Sequence, residues 1–151
     1  MTQTTGGFSA VNAKIEFSIN GSAFDDISGW TNTLKPGAGT RQSGLRFTHE
    51  GDTAIITSGK RGSIDIDCQV IYTEGTGDIF EKLRTQFEIA GGGPVYLRWT
   101  PKGAGASKFV FTTSLGVLKK LDYPSTDSED AKPVAISFTI EAASITKSVS
   151  T

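Results

Sequence analysis

Residues 63–90, SIDIDCQVIYTEGTGDIFEKLRTQFEIA, change their period partway along, and the change decides the fold. Ile64, Ile66, Cys68, Val70 and Tyr72 fall on one side of an extended chain, with Ser63, Asp65, Asp67, Gln69 and Thr73 on the other. The pattern predicts a strand with one dry face and one wet one. After Glu74 a glycine-threonine-glycine turn ends the alternation. Ile79, Phe80, Leu83 and Phe87 then recur at helical spacing, with Glu81, Lys82, Arg84, Gln86 and Glu88 between them. Asp78 stands where an N-cap or first-turn carboxylate belongs, and Gly91-Gly92-Gly93-Pro94 cannot continue a helix. One helix in an otherwise β chain is the expectation.

Upstream, Ala13 to Ile19 alternates, with Ile15, Phe17 and Ile19 against Lys14, Glu16 and Ser18. Asn20-Gly21 tolerates positive φ at both positions and predicts a tight hairpin returning through Phe24 and Ile27. Asn20-Gly21-Ser22 is also a glycosylation sequon, but with no leader the turn reading prevails. Trp30 to Leu34 reads as a strand stopped by Lys35-Pro36-Gly37. Residues 36–62 are polar and rich in glycine, yet keep apolar patches at Leu45/Phe47 and Ala54-Ile55-Ile56, so a long hairpin or flap is expected. Such a segment has too few apolar groups to pack alone and is a candidate for burial against another subunit.

Downstream, strands are expected at Pro94 to Trp99, Lys108 to Thr113, Val117 to Tyr123 and Val134 to Ala143. The last sets Val134, Ile136, Phe138 and Ile140 against Ser137, Thr139 and Glu141, and an acidic loop with Asp127, Glu129 and Asp130 precedes it. Residues 1–12 read as a flexible arm and residues 144–151 as a polar tail. Seven or eight strands with one helix midway imply a single domain over residues 1–151, mainly β. The expected architecture is a β-sandwich or open barrel whose open side the flanking α-helix covers.

A chain of 151 residues can remove roughly 70% of its unfolded surface from water, so it needs no staples. The lone Cys68 on the dry face reads as packing. Residues 1–10 show no charged-then-apolar leader, and no apolar run nears the roughly 20 residues that span a bilayer. A soluble product made inside the cell, with no membrane partner, is expected. A net charge of -1 gives no grip on phosphates. His49 is the sole histidine, so a metal cluster or a Ser-His-Asp site would depend on it alone. Asp65 and Asp67 could serve as a glycosidase pair, but carboxylates alternating with isoleucines are ordinary for a solvated sheet face. Thr57-Ser58-Gly59-Lys60-Arg61 lacks the glycine and the Ser/Thr of a phosphate loop. Lys119-Lys120 and Lys60-Arg61 are too small for nucleic-acid patches. No catalytic residue, metal or cofactor is therefore expected, and the weight falls on a structural or binding role.

The Asn20-Gly21 hairpin closing on Phe24 to Trp30, the approach from Gly51-Asp52 to Lys60-Arg61, Tyr72-Thr73-Glu74-Gly75 before the helix, and Tyr96-Leu97-Arg98-Trp99-Thr100-Pro101-Lys102-Gly103 together resemble the tail tube (major tail) proteins of long-tailed bacteriophages and prophages. The resemblance runs from about Ala13 to Lys147. It implies a sandwich related to contractile-tail and type VI secretion tubes, with six copies closing into a ring and rings stacking into a hollow tube that passes DNA. It also implies a virion-tail location, synthesis in the host cytoplasm, and tape-measure, terminator and distal tail proteins as partners. On that reading Glu16, Asp65, Asp67, Gln69, Ser137, Thr139 and Glu141 line the lumen, their carboxylates repelling phosphates, with Lys14 running against the trend. Arg41, Leu45, Phe47, Ile55, Lys60 and Arg61 belong to the ring-stacking loop. The alternatives are a terminator or completion ring protein, and a carbohydrate- or protein-binding module using Trp30, Tyr72, Tyr96 and Trp99.

Overall fold

Alternation of side chains across a pleated strand fixes which residues meet, and here it builds two facing sheets. The computed structural model describes residues 3–151. Its elements are β1 (Lys14–Ser18), β2 (Asp25–Asp26), β3 (Thr31–Pro36), β4 (Arg41–Arg46), β5 (Ile55–Arg61), β6 (Ile64–Ile71), α1 (Ile79–Glu88), β7 (Tyr96–Thr100), β8 (Phe109–Thr113), β9 (Gly116–Leu121), β10 (Ala135–Ala142) and β11 (Ile145–Val149). One antiparallel sheet runs β11-β8-β7-β1-β2 and the other β3-β6-β10-β9, while β4 and β5 pair only with each other. The expected mainly β fold with a single flanking helix is what the described residues form.

The core lies between the two larger sheets. Ile66, Cys68 and Val70 of β6 and Ile136, Phe138 and Ile140 of β10 meet Phe17, Leu97 and Trp99 from the opposing sheet, all of them buried. Each large apolar side chain so enclosed contributes roughly 1.5–3 kcal/mol. Burial pushes the Cys68 thiol up to about 12, consistent with packing.

Helix α1 closes the open side. Ile79, Phe80 and Leu83 enter the core, and the Phe80 ring sits edge-on to Tyr72 and Tyr123 at 5.3 and 6.0 Å. Lys82 reaches Asp25 of β2 at 2.8 Å, while the helix packs along β9, so it spans from one sheet's edge to the other's. Its polar face is laced by Arg84 to Glu81 and Glu88. Asp78 occupies the N-cap position without capping: its carboxylate accepts from the Gly75 N–H at 2.7 Å and from the Thr73 hydroxyl. Gln86 is buried and Phe87 exposed, the reverse of the sequence expectation. The cause is the helix exit, where Gln86 Nε2 donates to the Pro94 carbonyl at 2.7 Å and fastens the glycine run against the helix.

Two further boundaries differ from expectation. The Asn20-Gly21 turn is wider than a two-residue hairpin, because Phe17 pairs with Asp25. Asn20 Oδ1 accepts from the N–H groups of Ser22 and Ala23, and Gly21 takes φ +78° beneath the Tyr96 ring. The supposed polar tail contains β11, which pairs with β8 from Ile145 opposite Thr113 to Val149 opposite Phe109. It is an edge strand whose Lys147 ammonium lies over the Phe109 ring at 4.2 Å, so its apolar alternation is faint. Of the expected arm, residues 3–12 form no strand, Phe8 lies under the Lys102 ammonium, and residues 1 and 2 fall outside the described part.

Candidate functional site

The register of β6 against β10 sets Asp65 opposite Glu141, Asp67 opposite Thr139 and Gln69 opposite Ser137. Six of the seven expected lining residues therefore occupy one face of the four-stranded sheet as three cross-strand pairs. The Thr139 hydroxyl donates to Asp67 at 2.6 Å, and the Ser63 hydroxyl to Glu141 at 2.6 Å. Two carboxylates directly opposite each other repel, and Lys119 resolves the conflict: its Nζ lies 2.9 Å from Asp65 and 3.9 Å from Glu141. Asp65 is the main reason the Lys119 pKa rises.

Lys119 was missed as a site residue, although a signal for it exists. Leu118 and Leu121 both turn inward, and the two lysines between them are one too many for strict alternation. The extra residue is absorbed by a register shift opposite Thr139 and Ile140. Lys35 stands opposite Asp67 on β3, and Lys120 lies 3.7 Å from Asp122. The face is thus nearly charge-balanced, with three lysines among four carboxylates, Asp65, Asp67, Glu141 and Asp122, and less acidic than expected from the sequence.

Glu16 does not join that face. It lies on the outer side of the five-stranded sheet, 6% exposed, where it accepts from Arg98 Nε at 2.7 Å and Nη2 at 3.0 Å, with Lys14 Nζ at 3.0 Å. The Arg98 guanidinium holds its carboxyl below the ordinary range in spite of burial. Arg98 in turn lies under the Phe24 ring at 4.0 Å. Lys14, expected to oppose the acidic lining, is this group's second cation.

Residues Arg41, Leu45, Phe47, Ile55, Lys60 and Arg61 all fall on the β4–β5 hairpin or its connecting loop, and both strands are exposed along their whole length. Leu45 sits opposite Ile56, and Leu45, Phe47, Ile55 and Ile56 are 58, 61, 55 and 70% exposed. Two strands alone are marginal in water, and the described residues leave these apolar groups uncovered. His49 lies in the exposed loop between the strands, and Thr57 to Arg61 lies within strand β5 where a phosphate loop would lead into a helix. In addition, no strand among the described residues pairs with the outer edge of β3 or β9, although Val95 bridges Gly116 at the start of β9.

The four aromatic residues of the binding-module alternative are scattered. Trp99 is buried and stacked on Phe111, Trp30 donates to the Thr73 hydroxyl at 3.0 Å, Tyr72 packs on Phe80, and Tyr96 covers Gly21. Among the described residues no group of three His, Cys, Asp or Glu is placed to hold a metal.

The sequence matches no family model and no curated protein. Solved structures do match. A chain from the extended sheath–tube complex of an extracellular contractile injection system (PVC) superposes with a TM-score of 0.77 at 11% identity, over 96% of this chain and 93% of that one. The chain has the tail-tube fold. A chain of the tail of an empty gene transfer agent particle, determined with C6 symmetry, shares the fold with a TM-score of 0.64 at 12% identity, covering 99% and 100%. A chain of the SPP1 tail tube does so with a TM-score of 0.65 at 13% identity, covering 92% and 77%. Chains from the anti-feeding prophage tube-terminating cap and the PVC sheath/tube terminator match as well, so tail-tube and terminator structures share this architecture.

Proposed function

We propose that this chain is a structural tail protein, six copies of which close into a ring and whose rings stack into the hollow tube that carries DNA to the host. The observation that carries the reading is a tail-tube fold over nearly the full chain, joined to surfaces that one copy leaves open among the described residues: the outer edges of β3 and, beyond the Val95 bridge at Gly116, of β9, and an apolar hairpin. A side-to-side contact between different edges closes a ring, and an end-to-end contact that does not close makes a filament. Pairing β3 of one copy with β9 of the next would satisfy both edges at once. The C6 symmetry of the gene transfer agent tail supports six as the ring order. On this reading the chain works in the virion tail, is made in the host cytoplasm, and meets tape-measure, terminator and distal tail proteins.

The face bearing Asp65, Asp67, Gln69, Ser137, Thr139 and Glu141 lines the channel in this proposal, and Glu16 is assigned instead to holding the outer sheet together. The β4–β5 hairpin bridges rings. Electron microscopy of concentrated pure protein tests the reading: rings and long tubes with a central channel support it, single rings that never stack favour a terminator, and lone molecules at every concentration refute it. Replacing residues 41–61 by a short glycine-serine turn is expected to leave monomers or single rings. Tubes assembled from an Asp65→Lys/Asp67→Lys variant are expected to retain DNA that wild-type tubes release, because unpaired lysines then face phosphates well within the roughly 8 Å screening length.

A further inference from the structure

The two ends of the four-stranded sheet carry opposite charge. At the end where β3 stops and β6 starts, the hairpin holds Arg41, Arg46, Lys60 and Arg61 against Glu50 and Asp52. At the other end, marked by Ala135 opposite Ile71, the β9–β10 connection holds Asp127, Glu129 and Asp130 against Lys132. That connection sits over Asn32, Gln69 and Ile71, framing an open hollow of about 560 Å³. Asp127 and Asp130 each spend one oxygen on their own loop, accepting from the N–H groups of Glu129 at 3.0 Å and Lys132 at 2.9 Å. Among the described residues, none of these hairpin or connection side chains has an ion-pair partner.

We propose that the basic hairpin of one copy docks on the acidic β9–β10 connection of a second copy placed end to end with it. The inference rests on the self-assembly reading above and names the surface that receives the hairpin. Within one chain the two clusters stand at opposite ends of β6, roughly 25 Å apart at about 3.3 Å per residue, so neither can neutralise the other. Between copies, only a head-to-tail arrangement brings unlike clusters together. Head-to-head stacking sets one net-positive hairpin against another, and tail-to-tail stacking one net-negative connection against another, so the charge pattern also disfavours the wrong polarity. A head-to-tail contact repeats without closing, as a tube requires.

The experiment exchanges the signs. One variant carries Arg46→Glu, Lys60→Glu and Arg61→Glu; another carries Asp127→Lys and Asp130→Lys; a third carries all five. Every substituted side chain is exposed, and circular dichroism and melting temperature check that each variant folds. Wild-type tubes should shorten as salt rises, and each partial variant should lose about tenfold in sedimentable polymer, equivalent to about 1.4 kcal/mol per contact. Stacking should return in the fivefold variant and in an equimolar mixture of the two partial variants, where each acidic hairpin finds a basic connection. Partial variants that form tubes like the wild type, or a failure of both rescues, overturn the pairing and leave the tube reading standing. A wild-type chain that never assembles at any salt overturns both.

Discussion

Arg98 offers a perturbation whose size follows from the geometry around Glu16. The carboxylate is 6% exposed and takes two guanidinium hydrogen bonds, at 2.7 and 3.0 Å, so Arg98→Ala leaves a desolvated anion with only Lys14 beside it. Removing one partner of a fully buried pair costs about 3–5 kcal/mol. The Arg98 side chain is 34% exposed and Lys14 stays, which brings the cost down to about 2–3 kcal/mol. Loss of the Phe24 contact at 4.0 Å falls within that range. For a domain of this size the melting temperature should drop by about 4–12 °C at pH 7, measured on the unassembled chain. The pH dependence identifies the cause. Glu16 has a lowered folded pKa, chiefly through the Arg98 hydrogen bonds, so its stabilising contribution is complete above the ordinary value of 4.5 and is lost as pH falls through the folded value. In Arg98→Ala that depression is largely gone, so the gap between variant and wild type should narrow steadily as the buffer is taken from pH 5 to pH 3. Arg98→Lys keeps the charge but loses the fork and should fall between the two. Equal melting temperatures at pH 7, or a gap that persists unchanged in acid, would refute the argument.

Three other outcomes are expected. Cys68, 2% exposed with its thiol pushed up to about 12, should resist a thiol reagent at pH 8 in the folded chain and react fully once urea unfolds it. Gly103→Ala places a Cβ 2.6 Å from the Asn12 carbonyl oxygen at φ +85° and should cost about 1–3 kcal/mol in a denaturant titration. Lys119→Ala removes an ion pair whose partners are about half exposed and should change stability by less than about 1 kcal/mol, a difference that 1 M salt erases in a paired melting experiment.

The dry faces were legible because strict alternation leaves little choice. Ile64 to Val70 and Ile136 to Ile140 fixed the two central strands, and the register between them followed from burying both sets. Helix α1 was legible from Ile79, Phe80 and Leu83, but its exit was not. Gln86 is polar by type and buried by role, since its amide serves the Pro94 carbonyl rather than water. Edge strand β11 escaped because it buries little and alternates weakly. The hairpin could be read from its poverty in buried apolar groups. The near balance of charge on the wet face could not, because Lys119 and Lys35 come to it from strands distant in sequence, and only register brings Lys119 to Asp65 and sets Lys35 on the strand position opposite Asp67.

That balance bears on how a channel lined by this face would treat a polyanion. A bare carboxylate surface repels phosphate, and a bare lysine surface holds it. Here the Lys119 ammonium is already engaged by Asp65 and Glu141, so a phosphate must displace carboxylates already in place before it gains a contact. Thr139 likewise donates to Asp67 and Ser63 to Glu141, so among the described residues only Lys35 of the three lysines on this face has no carboxylate partner. In such a channel low adhesion would come from polar groups being paired with one another across β6, β9 and β10. Substitutions that unpair a lysine on this face should therefore slow transit more than substitutions that remove a whole ion pair together.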